Sequence, residues 1–382
     1  MKHLLAISFI LISTICIKAQ TAVDITNLQS PNIDETSGLL FYNNNIITFN
    51  DSGGTPNLYE IDSSSGAVIR TVTITNATNI DWEDITQDAS HIYIGDIGNN
   101  NGNRTDLKIY KISKTDYDDA DDTALAEIIA YSYTNQTDFT TNPNNNNWDA
   151  EGLISYNNKL LVFSKNWVNN MVNVYSIPKI QGTHSAPLES SYNTVGLITG
   201  ADTSPDENII YLTGYSSTQA PFMYTIHNIP NNSLDVFSGE VSTKKNNIIP
   251  LGNQVEAIAI FEITPTEHRL YLTNERFVIS LGFTTIIFPA KLWLFEIDAN
   301  ASILGVPDSS LATSLTLFPN PAETILKFNK QVNSIVIYDI LGKIVLKDKN
   351  LRKLSIEHLS QGEYFATLNI DGTTLTKKFI KE

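Results

Sequence analysis

Apolar and polar residues alternate with a period of two along most of residues 21–300, which is typical of β-strands that bury one face. The alternation recurs in five copies, each with a short strand, a polar turn and a second strand rich in Ile, Leu, Tyr and Val. The paired strands are the segments ETSGLLFYNNNIITFND, DWEDITQDASHIYIGD, DAEGLISYNNKLLVFSK, ITGADTSPDENIIYLTGY and QVEAIAIFEITPTEHRLYLTNE. A third strand follows each pair, as NLYEID, LKIYKI, VNVYSI, FMYTIH and LWLFEID.

This repeat predicts an all-β fold with one sheet for each copy. A fourth, more variable strand is visible after three copies, as AVIRTVTI, EIIAYSYT and NTVGLI. Four strands per repeat, polar turns and no helical period indicate a five-bladed β-propeller over residues 21–300, with a sixth, degenerate blade left open. Because the fifth copy ends after its third strand, we expect the N-terminal strand TAVDITNL to complete that blade and cover its edge.

Residues 1–20 have the organisation of a secretory signal peptide. A short basic start is followed by an apolar run from Leu4 to Ile17, and the segment ends with the small residue Ala19 before a glutamine. The apolar run is too short to cross a bilayer comfortably. The only cysteine, Cys16, lies inside this segment. Removal of the signal peptide would therefore leave a mature chain without disulfides or thiolate chemistry.

The chain is strongly acidic. Its net charge is −16, and without the predicted signal peptide it contains 23 Lys and Arg residues and 41 Asp and Glu residues. A phosphate backbone is bound by a basic face, so we expect no nucleic-acid partner. The excess of carboxylates instead favours binding of a divalent cation. No later segment reaches about 18 apolar residues, so we expect no transmembrane segment in the mature chain.

Alignment of the five copies puts one residue from each copy at the start of its first strand. These aligned residues are Ser37, Glu83, Glu151, Thr199 and Glu256. Glu35 lies two residues before the first of them and therefore on the same strand face. Since the first strand of each propeller blade lines the central channel, we expect these side chains to converge near the axis at one end.

Three carboxylates directed at one axial point repel one another. Two unit charges about 4 Å apart interact by about 4 kcal/mol at an effective dielectric constant near 20. Such a site either retains protons, with raised pKa values, or holds a cation. In an exported acidic chain with oxygen ligands the predicted cation is Ca²⁺, because Mg²⁺ prefers strict octahedral geometry with few protein ligands. The alternative is that each Glu accepts hydrogen bonds from a neighbouring blade and no metal binds.

A second group of polar residues lies where the second strands end, and we expect it to surround the first group at the same mouth. Its members are Asp51, Asp96, Lys165, Tyr215 and Glu275. Beside an ion, the candidate catalytic bases are Asp51, Asp96 and Glu275. The candidate residues for binding an anionic ligand are Lys165, Arg104 and Arg276. The alternative is that these strand ends are solvated turns, since loops lie at the surface.

The motifs at the first strands, E-T-S-G-L, W-E-D-I, A-E-G-L and V-E-A-I, resemble the innermost-strand motifs of SdiA-regulated propellers. They are also similar to those of esterase-like phytase domains and of the five-bladed calcium-activated nucleotidases. In the nucleotidases, Ser and Glu residues at this position hold an axial Ca²⁺, so the resemblance implies as ligands Ser37, Glu83, Glu151 and Glu256. Thr199 departs from the Ser of that pattern but offers the same kind of oxygen.

Residues 301–314 are small and polar, as in a linker, and residues 315–382 carry about seven short alternating strands, which predict a small β-sandwich. Within this tail, the segments FPNPAE, IYDILGK, LSQGEY and KKFIK occur in order and resemble the C-terminal sorting domain of type IX secretion cargo. The resemblance implies that the type IX machinery binds the tail, and that the tail is usually removed. We therefore expect a secreted or outer-surface protein; a plain adhesion-type sandwich is the alternative.

Two hypotheses remain for the function of the propeller. In the first it is a surface module that binds a glycan, a protein or an anionic ligand at the channel mouth, with Ca²⁺ at the axis. In the second it is a Ca²⁺-dependent hydrolase of a phosphoester or another ester. Propellers serve both purposes, so the sequence leaves open whether the protein is an enzyme.

Overall fold

The computed structural model describes residues 21–29, 33–242, 244–280, 285–298, 316–339, 343–370 and 373–382. The predicted signal peptide and the predicted linker lie outside the described residues. The chain divides into two compact units, residues 1–303 and residues 304–382. Nearly all of the regular structure is β, which confirms the all-β class predicted from the alternation.

The strands of the larger unit follow one another in short antiparallel runs. The first are β1 (Val23–Asn27), β2 (Thr36–Tyr42), β3 (Asn45–Asn50), β4 (Asn57–Ile61), β5 (Val68–Ile74), β6 (Trp82–Gln87), β7 (His91–Asp96) and β8 (Lys108–Ser113). The short helix α1 (Lys114–Tyr117) then precedes β9 (Thr123–Ala124), β10 (Ala126–Tyr133), β11 (Ala150–Tyr156), β12 (Lys159–Ser164), β13 (Val172–Pro178), β14 (Gly182–Ala186) and β15 (Leu188–Tyr192).

The second half of the unit continues in the same way. Its strands are β16 (Leu197–Thr203), β17 (Ile209–Tyr215), β18 (Pro221–His227), β19 (Glu240–Val241), β20 (Lys245–Asn246), β21 (Val255–Ile263), β22 (Glu267–Asn274), β23 (Phe277–Ser280), β24 (Thr285–Phe288) and β25 (Lys291–Asp298). Two single 3₁₀ turns, Pro230–Asn232 and Val236–Ser238, lie between β18 and β19.

Each of the five sequence copies forms one sheet. The strand orders are β2-β3-β4-β5-β9, β6-β7-β8-β10-β14, β11-β12-β13-β15, β16-β17-β18-β19 and β21-β22-β25-β1, with β20 also paired to β18. The segment between β22 and β25 contributes a separate two-stranded hairpin, β23–β24. The first, second and third strands of each copy are therefore neighbours in the sheet, as the repeat predicts.

Segments from elsewhere in the chain complete the outer edges of three sheets. β1 pairs antiparallel with β25, with Val23 opposite Leu294, which is the completing strand expected from the sequence. Two further additions were not expected: β9 pairs in parallel with β5, and β14 pairs in parallel with β10. Because β9 and β14 each belong in sequence to the following copy, they tie one sheet to the next.

The first strands of the five sheets contact one another in a closed cycle, in the order β2, β6, β11, β16, β21 and back to β2. The backbones approach closely, since a Cβ added at Gly38 on β2 would lie 2.8 Å from the Cα of Asp84 on β6. Apolar clusters fill the spaces between consecutive sheets. The fifth cluster joins Leu39 of the first sheet to Leu292 of the last, so burial of apolar surface is continuous around the cycle.

One buried carboxylate links three of these first strands. Asp84 on β6 has no exposed surface, and its Oδ2 accepts hydrogen bonds from the N–H groups of Leu153 on β11 (2.8 Å) and Ala201 on β16 (3.2 Å). Its Oδ1 accepts a third bond from Ile85 at 2.9 Å. Burial raises the pKa of Asp84 well above its usual range, against the lowering effect of these donors.

The smaller unit contains five described strands in one sheet. They are β26 (Leu317–Phe318), β27 (Ile325–Asp339), β28 (Ile344–Ser355), β29 (Gly362–Ile370) and β30 (Thr373–Lys381). The sequence predicted about seven shorter strands. The difference arises because β27 and β28 are 15 and 12 residues long. A register shift between Lys327 and Val332 takes up polar residues that resemble a strand end.

Replacement of Asp84 by Ala should strongly destabilise the larger unit. The substitution leaves three buried N–H groups without an acceptor, and each such group costs about 1 to 3 kcal/mol. We expect the free energy of unfolding, measured by urea denaturation, to fall by roughly 3 kcal/mol or more. The matched control is Asp235→Ala at an exposed position, which should change it by less than about 0.5 kcal/mol. Equal stability of Asp84→Ala and the unsubstituted chain would contradict the linking role.

Candidate functional site

The five aligned residues occupy one structural position, near the start of the first strand of each sheet. At each of them the pairing register with the second strand shifts. The positions are Ser37, Glu83, Glu151, Thr199 and Glu256. A register shift of this kind marks a β-bulge, which re-aims the bulged side chain away from the regular alternation. The sequence alignment identified the common position, and the bulge is its structural basis.

A cavity of about 370 Å³ lies where the starts of the first strands meet the ends of the second strands. Its charged lining consists of Glu35, Asp51, Glu83, Glu151, Lys165, Glu256 and Glu275. Uncharged lining residues include Ser37, Asn100, Asn101, Asn144, Trp167, Tyr215 and Gln254. Six carboxyl groups and one ammonium group therefore face a common space.

One part of the cavity carries its own cation. Lys165 is only 4% exposed, and its Nζ forms an ion pair with Glu151. The ammonium also lies 4.9 Å from the ring centroid of Trp167 and 5.4 Å from that of Tyr215, within the range of cation–π attraction. Burial still raises the pKa of Glu151 to about 8, because the opposing effect of Lys165 is smaller. Lys165 is thus a fixed internal counterion for Glu151.

Another group of acids in the described chain has no such ion pair. One carboxylate oxygen from each of Asp51, Asp81 and Glu83 lies within 4.8 Å of the other two. Burial raises the pKa of Asp51 to about 7, with further contributions from Asp81 and Glu275. Burial also raises the pKa of Asp81 to about 6, and it raises that of Glu83 well above the usual range. Each of these carboxyl groups retains a proton more readily than in water.

The backbone after β7 packs directly on this acidic group. A Cβ added at Gly98 would collide with Oε1 of Glu83 and with Oδ2 of Asp81. The Gly98 N–H also donates to the backbone oxygen of Asp81 at 3.2 Å. The absence of a side chain at this position lets the chain close over the carboxylates, and any larger residue would displace them.

Several buried carboxylate oxygens have no hydrogen-bond partner in the part of the chain that is described. They are Oδ1 of Asp51, Oε2 of Glu151 and Oε1 of Glu256. Glu151 and Glu256 are 5% and 8% exposed. A buried polar atom without a partner is costly, so such atoms usually mark a bound water or ion. Carboxylate oxygens are the ligands that Ca²⁺ prefers, so the donor set fits that ion.

The two hydroxyl residues of the aligned set make cross-sheet hydrogen bonds. Ser37 Oγ donates to the backbone oxygen of Glu83, and Thr199 Oγ1 donates to that of Val255, both at 2.7 Å. Ser37 lines the cavity, whereas Thr199 does not. The structure therefore brings four of the five predicted metal ligands to the cavity and leaves Thr199 beside it.

Most, but not all, of the polar residues predicted at the ends of the second strands also line the cavity. Asp51, Lys165, Tyr215 and Glu275 line the cavity, and burial raises the pKa of Glu275. Asp96 instead is fully buried in ion pairs with Arg104 (2.8 Å) and Lys108 (3.5 Å).

Neither predicted arginine lines the cavity. Arg104 also forms an ion pair with Asp106 and donates a hydrogen bond to the backbone oxygen of Gly98. Its guanidinium group is therefore paired within its own loop and does not face the cavity. Arg276 Nε lies 3.9 Å from Asp34.

Asp81 belongs to the acidic group, but the sequence analysis did not select it. The signal that could have found it is its spacing, because Asp81 precedes Glu83 by two residues just as Glu35 precedes Ser37. Asp149 precedes Glu151 in the same way, but its oxygens accept hydrogen bonds from the Asn99 N–H (2.6 Å) and Trp167 Nε1 (2.8 Å). The position two residues before the bulge is thus repeatedly polar, and its role differs among sheets.

Comparison with known proteins identifies the tail. Residues 316–382 match the family described as "Secretion system C-terminal sorting domain". No curated protein matches the chain. Among solved structures, the chain is similar to the extracellular domain of the "putative one component system BT4673" from B. thetaiotaomicron, with 11% sequence identity and a TM-score of 0.28. That alignment covers 95% of this chain but 59% of the other, so this chain spans less than two thirds of its length.

In the described ranges, no helix has the length and apolar character needed to cross a membrane. The sorting domain at residues 316–382 indicates interaction with the type IX secretion machinery. The protein is therefore exported by the type IX system to the cell surface or the extracellular space.

Proposed function

We propose that the larger unit is a five-bladed β-propeller that binds Ca²⁺ and presents a ligand-binding mouth outside the cell. The propeller is supported by one sheet per sequence copy, the closed cycle of first strands and the completing strand β1. The binding site is supported by the acid-lined cavity at the starts of those strands. Export supplies the surroundings in which weak Ca²⁺ sites are filled.

One observation carries the Ca²⁺ proposal. Asp51, Asp81 and Glu83 approach within 4.8 Å without an ion pair among the described residues. A divalent cation would relieve this repulsion and satisfy the free oxygen of Asp51. Lys165 already pairs with Glu151. We therefore place the ion beside the first and second sheets, and not on the axis, where the sequence alignment suggested that all five sheets would contribute a ligand.

The mouth beside this ion favours a polar ligand with an uncharged face, and a glycan has this chemistry. Trp167 offers an aromatic ring, and Asn100, Asn101 and Asn144 offer amide groups on the cavity lining. Six carboxyl groups would repel a polyanion that does not bind the metal. Lys165 is the cation among the described lining residues, and its ion pair with Glu151 leaves little positive charge for an anionic ligand.

A second candidate function rests on Asp51. Asp51 lines the cavity, and a neighbouring Ca²⁺ would hold its carboxylate in the ionised form that a general base requires. Placed beside a bound Ca²⁺, Asp51 would take a proton from a water molecule that attacks an ester, and it would give that proton to the leaving alcohol oxygen as the ester bond breaks. Asp96 is not used in this proposal, because Arg104 and Lys108 hold its carboxylate.

Calorimetric titration of the purified protein with Ca²⁺ should give a dissociation constant on the order of 10⁻⁴ to 10⁻³ M, as for other extracellular sites. Asp81→Asn and Glu83→Gln should each weaken binding by about tenfold or more, because each removes a charged ligand. The matched control Asp235→Asn removes one exposed charge and should leave the affinity unchanged. Absence of Ca²⁺ binding by the unsubstituted protein would refute the proposal.

Without Ca²⁺, the stability of the larger unit should fall as the pH rises from about 4 to about 8. The pKa values of Asp81, Asp51 and Glu151 are raised to about 6, about 7 and about 8. The folded state therefore binds more protons than the unfolded state in this range, and stability present at low pH is lost as the groups ionise.

Ca²⁺ replaces the lost protons, so its stabilising effect should grow over the same pH range. Melting temperatures measured across this range, with a chelator and with millimolar Ca²⁺, test both statements. A profile that is flat with pH and insensitive to Ca²⁺ would show that the acidic groups are compensated in some other way.

For the hydrolase candidate, aryl phosphoesters and aryl acetates should be cleaved in a Ca²⁺-dependent manner. Asp51→Asn should lower kcat by about 100-fold or more, because the amide cannot accept the proton of the attacking water. The matched control is Glu275→Gln on the same lining, with a smaller effect expected on kcat than on KM. If the protein binds Ca²⁺ but cleaves every ester only at the background rate, the hydrolase candidate is refuted and the binding module remains.

A further inference from the structure

A row of exposed side chains crosses three strands of the sorting domain. Phe318 on β26 is opposite Lys327 on β27, and Lys327 is in turn opposite Lys353 on β28. All three are exposed, and Phe318 is 44% exposed. The sheet therefore carries an exposed aromatic residue and two exposed lysines at directly paired positions of neighbouring strands.

This arrangement is unfavourable for the sheet alone. Like charges directly opposite on neighbouring strands destabilise their pairing. Among the described residues, no Asp or Glu forms an ion pair with Lys327, Arg352 or Lys353. Elsewhere in the same sheet, Lys378 pairs with Glu363 across strands at 2.7 Å. Opposite charges are therefore paired across strands at Lys378 and Glu363, whereas like charges are paired at Lys327 and Lys353 without a compensating acid in the described part of the sheet. An uncompensated pair of this kind points to a function for these lysines.

The row borders a cavity of about 520 Å³. Its lining consists of Phe318, Lys327, Phe328, Asn350, Leu351, Arg352 and Lys353. The lining therefore combines three cationic side chains with the apolar residues Phe318, Phe328 and Leu351. The net charge also distinguishes this unit from the rest of the chain. Residues 316–382 carry ten Lys or Arg and seven Asp or Glu, whereas residues 21–315 carry 13 Lys or Arg and 34 Asp or Glu.

We propose that this cavity is the surface by which the sorting domain docks on the type IX secretion machinery. Its occupant is a protein segment that inserts an apolar side chain against Phe318 and Leu351. Carboxylates flank that side chain and pair with Lys327, Arg352 and Lys353. The sorting-domain match supplies the class of partner, and the uncompensated cations supply the chemistry by which it binds.

The test is export of the full-length protein from a bacterium with a type IX system, measured as the amount at the cell surface and in the medium against the amount retained inside. Lys353→Glu turns the repulsive pair with Lys327 into an attractive one, so the melting temperature of the chain should stay equal or rise. Export should nevertheless fall by about tenfold or more, because the partner meets a reversed charge.

Phe318→Ser should also reduce export, by removal of apolar contact without any change of charge. The matched control Lys347→Glu makes the same charge reversal at another exposed lysine of β28 and should be exported normally. Export of Lys353→Glu at the level of the unsubstituted chain would overturn the proposal. If that normally exported variant had also lost binding to phosphatidylglycerol-rich vesicles, the occupant of the cavity would be a lipid surface and not a protein segment.

Discussion

Carboxyl groups in the larger unit lie closer together than their charges allow without protons or a counterion. The reason is geometric, because five first strands contact one another in a cycle and each carries a bulged residue at the same end. Lys165 forms an ion pair with Glu151, but burial still raises the pKa values of Glu151, Asp51, Asp81 and Glu83. The close packing that buries the apolar core therefore also concentrates the charge on which any activity at this site depends.

The sequence was sufficient for features that repeat. Alternation with period two located the first three strands of every sheet, and alignment of the copies located the bulge positions, because both are imposed by backbone geometry that recurs five times. The completing strand β1 followed from counting strands in the last copy. The family of the tail followed from motifs that occur in a fixed order.

Features that occur once could not be predicted in the same way. The pairing of Lys165 with Glu151 depends on the direction of two side chains, and Asp84 reaches two other first strands in a position where the other copies have Gly or Ala. Asp96 looked like a cavity residue, but the loop carrying Arg104 folds back and pairs with it. The parallel additions β9 and β14 depend on the path of long connections, which alternation does not encode.

The pairing of β1 with β25 also has a consequence for the time at which the fold is completed. An ion pair between Lys291 and Asp24 joins these strands across 267 positions of sequence, and contacts of such long range form late. A ribosome-bound chain already contains β1 while β25 is still unmade, so the last sheet keeps an open edge until synthesis passes residue 298. An exporter that acts on the growing chain therefore meets it before β1 and β25 can pair.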